Sequence, residues 1–123
     1  MQSIHVVLLQ SDPEVARRLS ASLANSFHAV HLTKSTDELR YAVAKLQPRV
    51  MIVDLETATL SDVASLKQDF QATRIVCNHR LADEEMWTRS LTVGADDCCP
   101  SSDTRGIVDS AVAQRQTAAG VAA

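Results

Sequence analysis

Asp54 closes the apolar run Val50-Met51-Ile52-Val53. A carboxylate is costly inside a strand covered on both faces, so Asp54 belongs where the strand leaves the core. In an open parallel α/β sheet, sites form at the carboxyl ends of the strands, where strand order reverses. An ionised carboxylate at that point can hold a cation or act as a nucleophile. The plainer alternative is a carboxylate that caps a loop or pairs with a basic neighbour, and the local pattern leaves both open.

The histidines and cysteines say less. His28 and His31 lie three residues apart, which on a strand puts them on opposite faces and argues against a shared metal. His79 falls in an expected loop, where a solvent-exposed histidine is the default. The three cysteines, Cys77, Cys98 and Cys99, are odd in number and lack a framework spacing, so reduced thiols in a cytoplasmic protein are expected. Cys98 and Cys99 are adjacent, so alternation sends them to opposite sides and a bridge between them would need strain. A thiol sensor centred on Cys77 or that pair is a separate option, opposed by the carboxylate expected near Cys77, which raises a thiol pKa. The glycines, Gly94, Gly106 and Gly120, all lie toward the carboxyl end, so no glycine-rich phosphate loop is present.

These side chains need elements to hold them. Ile4 to Leu9 is a second continuous apolar run and reads as a buried strand. Asp12-Pro13-Glu14 then supplies an N-cap, a first-position proline and a first-turn acid. Val15, Ala16, Leu19 and Leu23 follow at helical spacing. His28 to Thr33 is short and partly polar, which suits an edge strand. Ser35 with Glu38 reads as a capping box for a helix through Leu46, stopped by Pro48. The strand 50–54 comes next, then a helix capped by Ser61. Arg74 to Cys77 is a fourth strand and Asn78 to Ala82 a loop. Asp83 opens a helix that ends at Gly94. Asp96 to Cys99 is a fifth strand, and Ser102 or Asp103 caps a last helix.

Strands alternating with helices give (βα)5, a flavodoxin-like three-layer sandwich. The two most apolar strands should be central and the weak ones edges, which predicts a five-stranded parallel sheet of order 2-1-3-4-5. Residues 1–115 form the domain, and residues 116–123 form a tail or the start of a linker. A length of 123 residues fits one domain. A net charge of −3 offers no electrostatic reason for nucleic acid as a direct partner. No apolar run approaches the roughly 18 residues of a membrane span, and the amino end lacks signal-peptide features. The aromatics are few, Phe27, Tyr41, Phe70 and Trp87, so Val, Leu, Ile and Ala must build the core.

The stretches 6–14, 48–55 and Gly94-Ala95-Asp96-Asp97 together resemble the receiver domain of bacterial two-component response regulators. The resemblance spans about the first 115 residues. It implies a phosphoacceptor at Asp54, served by a histidine kinase. The family's Mg²⁺-holding acidic pair falls on Gln10 and Ser11. Its Thr or Ser falls on Cys77, or on Asn78 if the register shifts by one. Its Lys falls on Ser101. Asp12 is the one nearby carboxylate that can turn inward to help Asp54. Mg²⁺ wants carboxylate and phosphate oxygens, and metal and lysine together neutralise the transferring phosphoryl group. The implied pocket is therefore degenerate, with Mg²⁺ binding weak or absent and no cofactor. The expected role is a non-enzymatic signalling module acting through a protein partner, such as a kinase or output protein, or as a homodimer. A conventional phosphoacceptor is the alternative. In the family the output face would carry Trp87, Arg89, Cys98 and Cys99, although packing against the sheet edge is the plainer reading of Trp87.

Overall fold

The computed structural model describes residues 5–113. The expected tail at 116–123 lies outside these. Ten elements alternate: β1 (His5–Leu9), α1 (Pro13–Leu23), β2 (Ala29–Thr33), α2 (Thr36–Leu46), β3 (Val50–Asp54), α3 (Leu60–Asp69), β4 (Arg74–His79), α4 (Glu84–Thr92), β5 (Asp97–Pro100) and α5 (Thr104–Val112). The strands are all parallel and lie in the order β2-β1-β3-β4-β5. This is the flavodoxin-like arrangement the apolar runs predict. β2 and β5 are the edges, and β3, buried throughout, is central.

Strand alternation divides the core into two layers. Val7, Leu9, Met51, Val53, Ile75, Cys77 and Cys98 face α2 and α3 through Leu39, Val43, Val63 and Leu66. Val6, Leu8, Val50, Ile52, Val76 and Cys99 face α1 and α5 through Leu19, Leu23, Ile107 and Ala111. Adjacent Cys98 and Cys99 thus enter opposite layers. Both are buried, so neither contributes to an exposed output face as expected. Among the described residues, no helix is long and apolar enough to cross a membrane.

Local chemistry sets the boundaries. Asp12 caps α1 by accepting from the Glu14 amide at 2.9 Å. Ser35 caps α2, but Glu38 reaches back to the Lys34 amide at 2.7 Å, so the expected box closes one residue early. α3 starts before Ser61: Thr59 is its N-cap and forms a reciprocal box with Asp62. Asp83 and Asp103 cap α4 and α5. α2 ends on Gln47 in the left-handed region (φ 49°), which frees the chain from the helix just before Pro48. Gly94 ends α4 at φ +114°, with its Cα against Lys67. A β-carbon there would lie 2.7 Å from Lys67 Cγ.

β4 runs two residues further than the apolar pattern suggests. Asn78 and His79 are polar, but their backbone still pairs with β3 and β5. The hydrophobic pattern marks where side chains are buried in apolar surroundings. It does not mark where the backbone ladder ends.

Candidate pocket at the carboxyl ends of the strands

Parallel pairing brings Gln10, Asp54, Asn78 and Ser101 to one end of the sheet. Asp54 is the last residue of β3 and lies in register with Asn78. Gln10 follows β1 directly, and β1 pairs with β3. Ser101 follows β5 and is tied back by its amide to the His79 carbonyl at 3.1 Å.

Asp54 is 2% exposed. The Ser11 amide donates to its Oδ2 at 2.9 Å, and the Ser11 hydroxyl donates to the same oxygen. The Glu56 amide donates to Oδ1 at 2.9 Å. Thr57 and Ala58 amides donate to the Asp54 carbonyl, folding the following loop over it. Both carboxylate oxygens therefore have protein donors. Ser11 thus supplies two donors to Oδ2, and Glu56 supplies one to Oδ1.

Beside Asp54 lies a neutral polar network. Gln10 Nε2 donates to Asn78 Oδ1 at 2.7 Å, and Asn78 Nδ2 donates to Gln10 Oε1 at 3.1 Å. Asn78 Nδ2 also donates to Ser101 Oγ at 2.8 Å. All three residues are buried. Buried amides of this kind are stable only when partnered, and here each completes the other.

Of the two residues expected at the Thr/Ser position, Asn78 lies beside Asp54. Cys77 sits opposite Val53, one residue before the carboxylate, and its side chain enters the α2–α3 layer. It is core, not pocket. Burial, with Cys98 next in effect, pushes its thiol pKa far up. Burial raises Cys98 too. Burial followed by the Asp97 carboxylate pushes Cys99 up to about 12. Asp12 remains exposed and engaged as a helix cap.

Two arginines follow the strands that flank the pocket, Arg80 after β4 and Arg105 after β5. Arg80 is held by Glu56, which accepts from its backbone at 3.2 Å and from its Nε at 2.8 Å. This clamp joins the loops after β3 and β4 and was not legible from spacing. Arg105 is exposed on the first turn of α5. His79 accepts from the Leu81 amide through Nδ1 at 3.0 Å, a local turn contact. On α4, Trp87 is 46% exposed, so the sheet-edge packing expected for it is at most partial. Arg89 stands at 4.0 Å from Glu85 on the same helix. Among the described residues, no group of three or more His, Cys, Asp or Glu is placed to hold a metal ion.

No protein-family model and no curated protein matches the chain. Solved structures do. The signal receiver domain of a DNA-binding response regulator (merR) from Colwellia psychrerythraea 34H is 16% identical with a TM-score of 0.72, over 86% of this chain and 98% of that one. An orphan response regulator of H. pylori is 17% identical with a TM-score of 0.75, over 87% and 92%. This chain has the receiver-domain fold. The beryllofluoride-activated NtrC4 receiver domain dimer is similar too, at 12% identity and a TM-score of 0.73, over 87% and 94%. At these identities the likeness is one of fold, and the receiver pocket has to be judged on its own residues.

Proposed function

We propose that the chain is a receiver-fold signalling module that acts by protein–protein contact, with a retired phosphorylation pocket and no enzymatic activity. The observation that carries this is the neutral Gln10–Asn78–Ser101 network. It stands where the receiver pattern calls for a carboxylate, a hydroxyl and a lysine. Ser11, in the second acidic position, donates to Asp54 where a carboxylate would repel it.

The donor set does not fit Mg²⁺. That ion takes near-octahedral oxygen ligands and is usually bound through carboxylates. Among the described residues Asp54 is the one carboxylate in the pocket, and its oxygens already accept from Ser11 and Glu56. Neither arginine after the neighbouring strands stands in for the lysine: Arg80 is directed to Glu56, and Arg105 is exposed on α5. The partner is a histidine kinase or an output protein, or a second copy through the α4 face that presents Trp87. The thiol-sensor alternative gains nothing from three buried thiols whose pKa values are all raised.

An amide-resolved NMR titration with Mg²⁺, then Mg²⁺ plus beryllofluoride, tests the reading, with Asp54→Asn as control. The expected result is a silent pocket at millimolar ligand. Shifts centred on Asp54, Gln10, Ser11 and Asn78 that vanish in Asp54→Asn would establish a working phosphoacceptor instead.

A further inference from the structure

His5 and His31 are 26 residues apart in sequence, and the parallel register of β1 and β2 brings them together. His31 lies opposite Val7, so both imidazoles emerge on the α2 side of the sheet. His5 Nδ1 and His31 Nε2 are 3.0 Å apart, and the ring centroids are 5.1 Å apart at an interplanar angle of 40°. Both residues are part-exposed. His5 opens β1 and His31 is the middle residue of β2, whereas Asp54 ends β3 at the carboxyl side.

We propose that His5 and His31 form a two-imidazole chelate for a late divalent transition metal, Cu²⁺ above others. The separation of the two nitrogens is the argument. The hydrogen bond points the two nitrogens at each other; once the rings turn to aim both lone pairs at one ion, bonds of about 2.0–2.1 Å across a 3.0 Å separation subtend about 95° at it. That is a cis pair in a tetragonal field, the geometry of Cu²⁺ and Ni²⁺. Tetrahedral Zn²⁺ takes the nitrogens somewhat further apart, at about 3.3 Å. Cu²⁺ also tops the affinity order for nitrogen ligands.

Proton accounting allows the exchange. In the neutral pair one facing nitrogen carries the shared hydrogen and the other accepts it. Metal binding moves that hydrogen, through solvent, to the other ring nitrogen of the same histidine. Both rings stay neutral, and both facing lone pairs go to the ion. Burial, and then the neighbouring His5, lower the His31 pKa.

The test is a Cu²⁺ titration of the full chain, followed by electron paramagnetic resonance and by paramagnetic broadening of amide signals. One equivalent should give a tetragonal spectrum with coupling to two imidazole nitrogens, and broadening should centre on His5 and His31. His31→Ala and His5→Ala should each weaken binding by at least about tenfold, the low end for losing even an outer-shell partner. His28→Ala should leave it unchanged. Should His5→Ala fail to fold, His31→Ala and His31→Gln on the exposed-edge strand carry the test. Binding that survives His31→Ala, including binding that needs His5 alone, overturns the proposal. So does equal loss in His28→Ala or broadening centred on His79.

Discussion

At the scale of single residues, the pocket depends on Asn78. It is 1% exposed and bonded to both Gln10 and Ser101. Truncation to Ala orphans a buried amide, so Asn78→Ala should cost about 1–3 kcal/mol in urea unfolding. Replacing the whole network, as Gln10→Met with Asn78→Leu and Ser101→Ala, should recover most of that, because no polar group of the network is then left without a partner. The thiols make a second case. Cys99 has a folded pKa of about 12, above its unfolded value, so the unfolded state loses its proton first. The stability this gives is fully present below the unfolded pKa and is lost as pH rises toward the folded one. Unfolding midpoints at pH 8 and pH 10, about either side of an ordinary thiol pKa, should therefore fall less in Cys99→Ala than in the parent. A thiol reagent at pH 8 should label the native chain far more slowly than the urea-unfolded one. Residue-level reading of the sequence located Asp54 and the losses around it. It put Cys77 in the pocket because apolar patterning ended β4 too early. It passed over His5 because only strand register pairs it with His31.

At the scale of elements, the caps and stops are the testable parts. Gly94 at φ +114° faces Lys67 so closely that an added β-carbon would meet both Cβ and Cγ of that lysine. Shortening Lys67 cannot relieve the contact with its Cβ. Gly94→Ala should destabilise by about 1–3 kcal/mol, as for other residues held outside their allowed backbone regions. Gln47 is the reverse case, an exposed non-glycine residue at φ 49°. A left-handed L-residue costs about 1–2 kcal/mol, part of which glycine returns through its freer unfolded state. Gln47→Gly should raise the urea midpoint modestly, while Gln47→Val should lower it. Most caps are readable because their side-chain chemistry is local: Asp12, Ser35, Asp83 and Asp103 stand where short polar side chains reach the first-turn amides. Thr59 is missed because Ser61, two residues later, offers the same chemistry to a reader who cannot see the backbone turn.

At the scale of the whole molecule, two buried layers and a parallel sheet follow from the continuous apolar runs. Order 2-1-3-4-5 follows from which runs are most apolar, since burial on both faces is available only to inner strands. Function is less legible, because it depends on which polar groups meet across strands. Mg²⁺ at millimolar levels should leave the thermal midpoint unchanged, since a ligand that does not bind the native state cannot stabilise it. A sedimentation series over a wide concentration range, with Trp87→Ala beside the parent, tests self-association through α4. A dimer that weakens in the variant would identify the partner as a second copy.

The amide pair between Gln10 and Asn78 limits how a cell can address this domain. Neither partner titrates or carries charge, so acid, salt and divalent ions have no purchase on the contact. If the pocket is retired as proposed, phosphorylation does not reset the module, and its amount becomes the variable. On the proposed reading its message is a dosage. Partner occupancy then follows concentration by mass action and lasts until the protein is degraded. Synthesis and proteolysis take over the on and off strokes that a kinase and a phosphatase supply elsewhere.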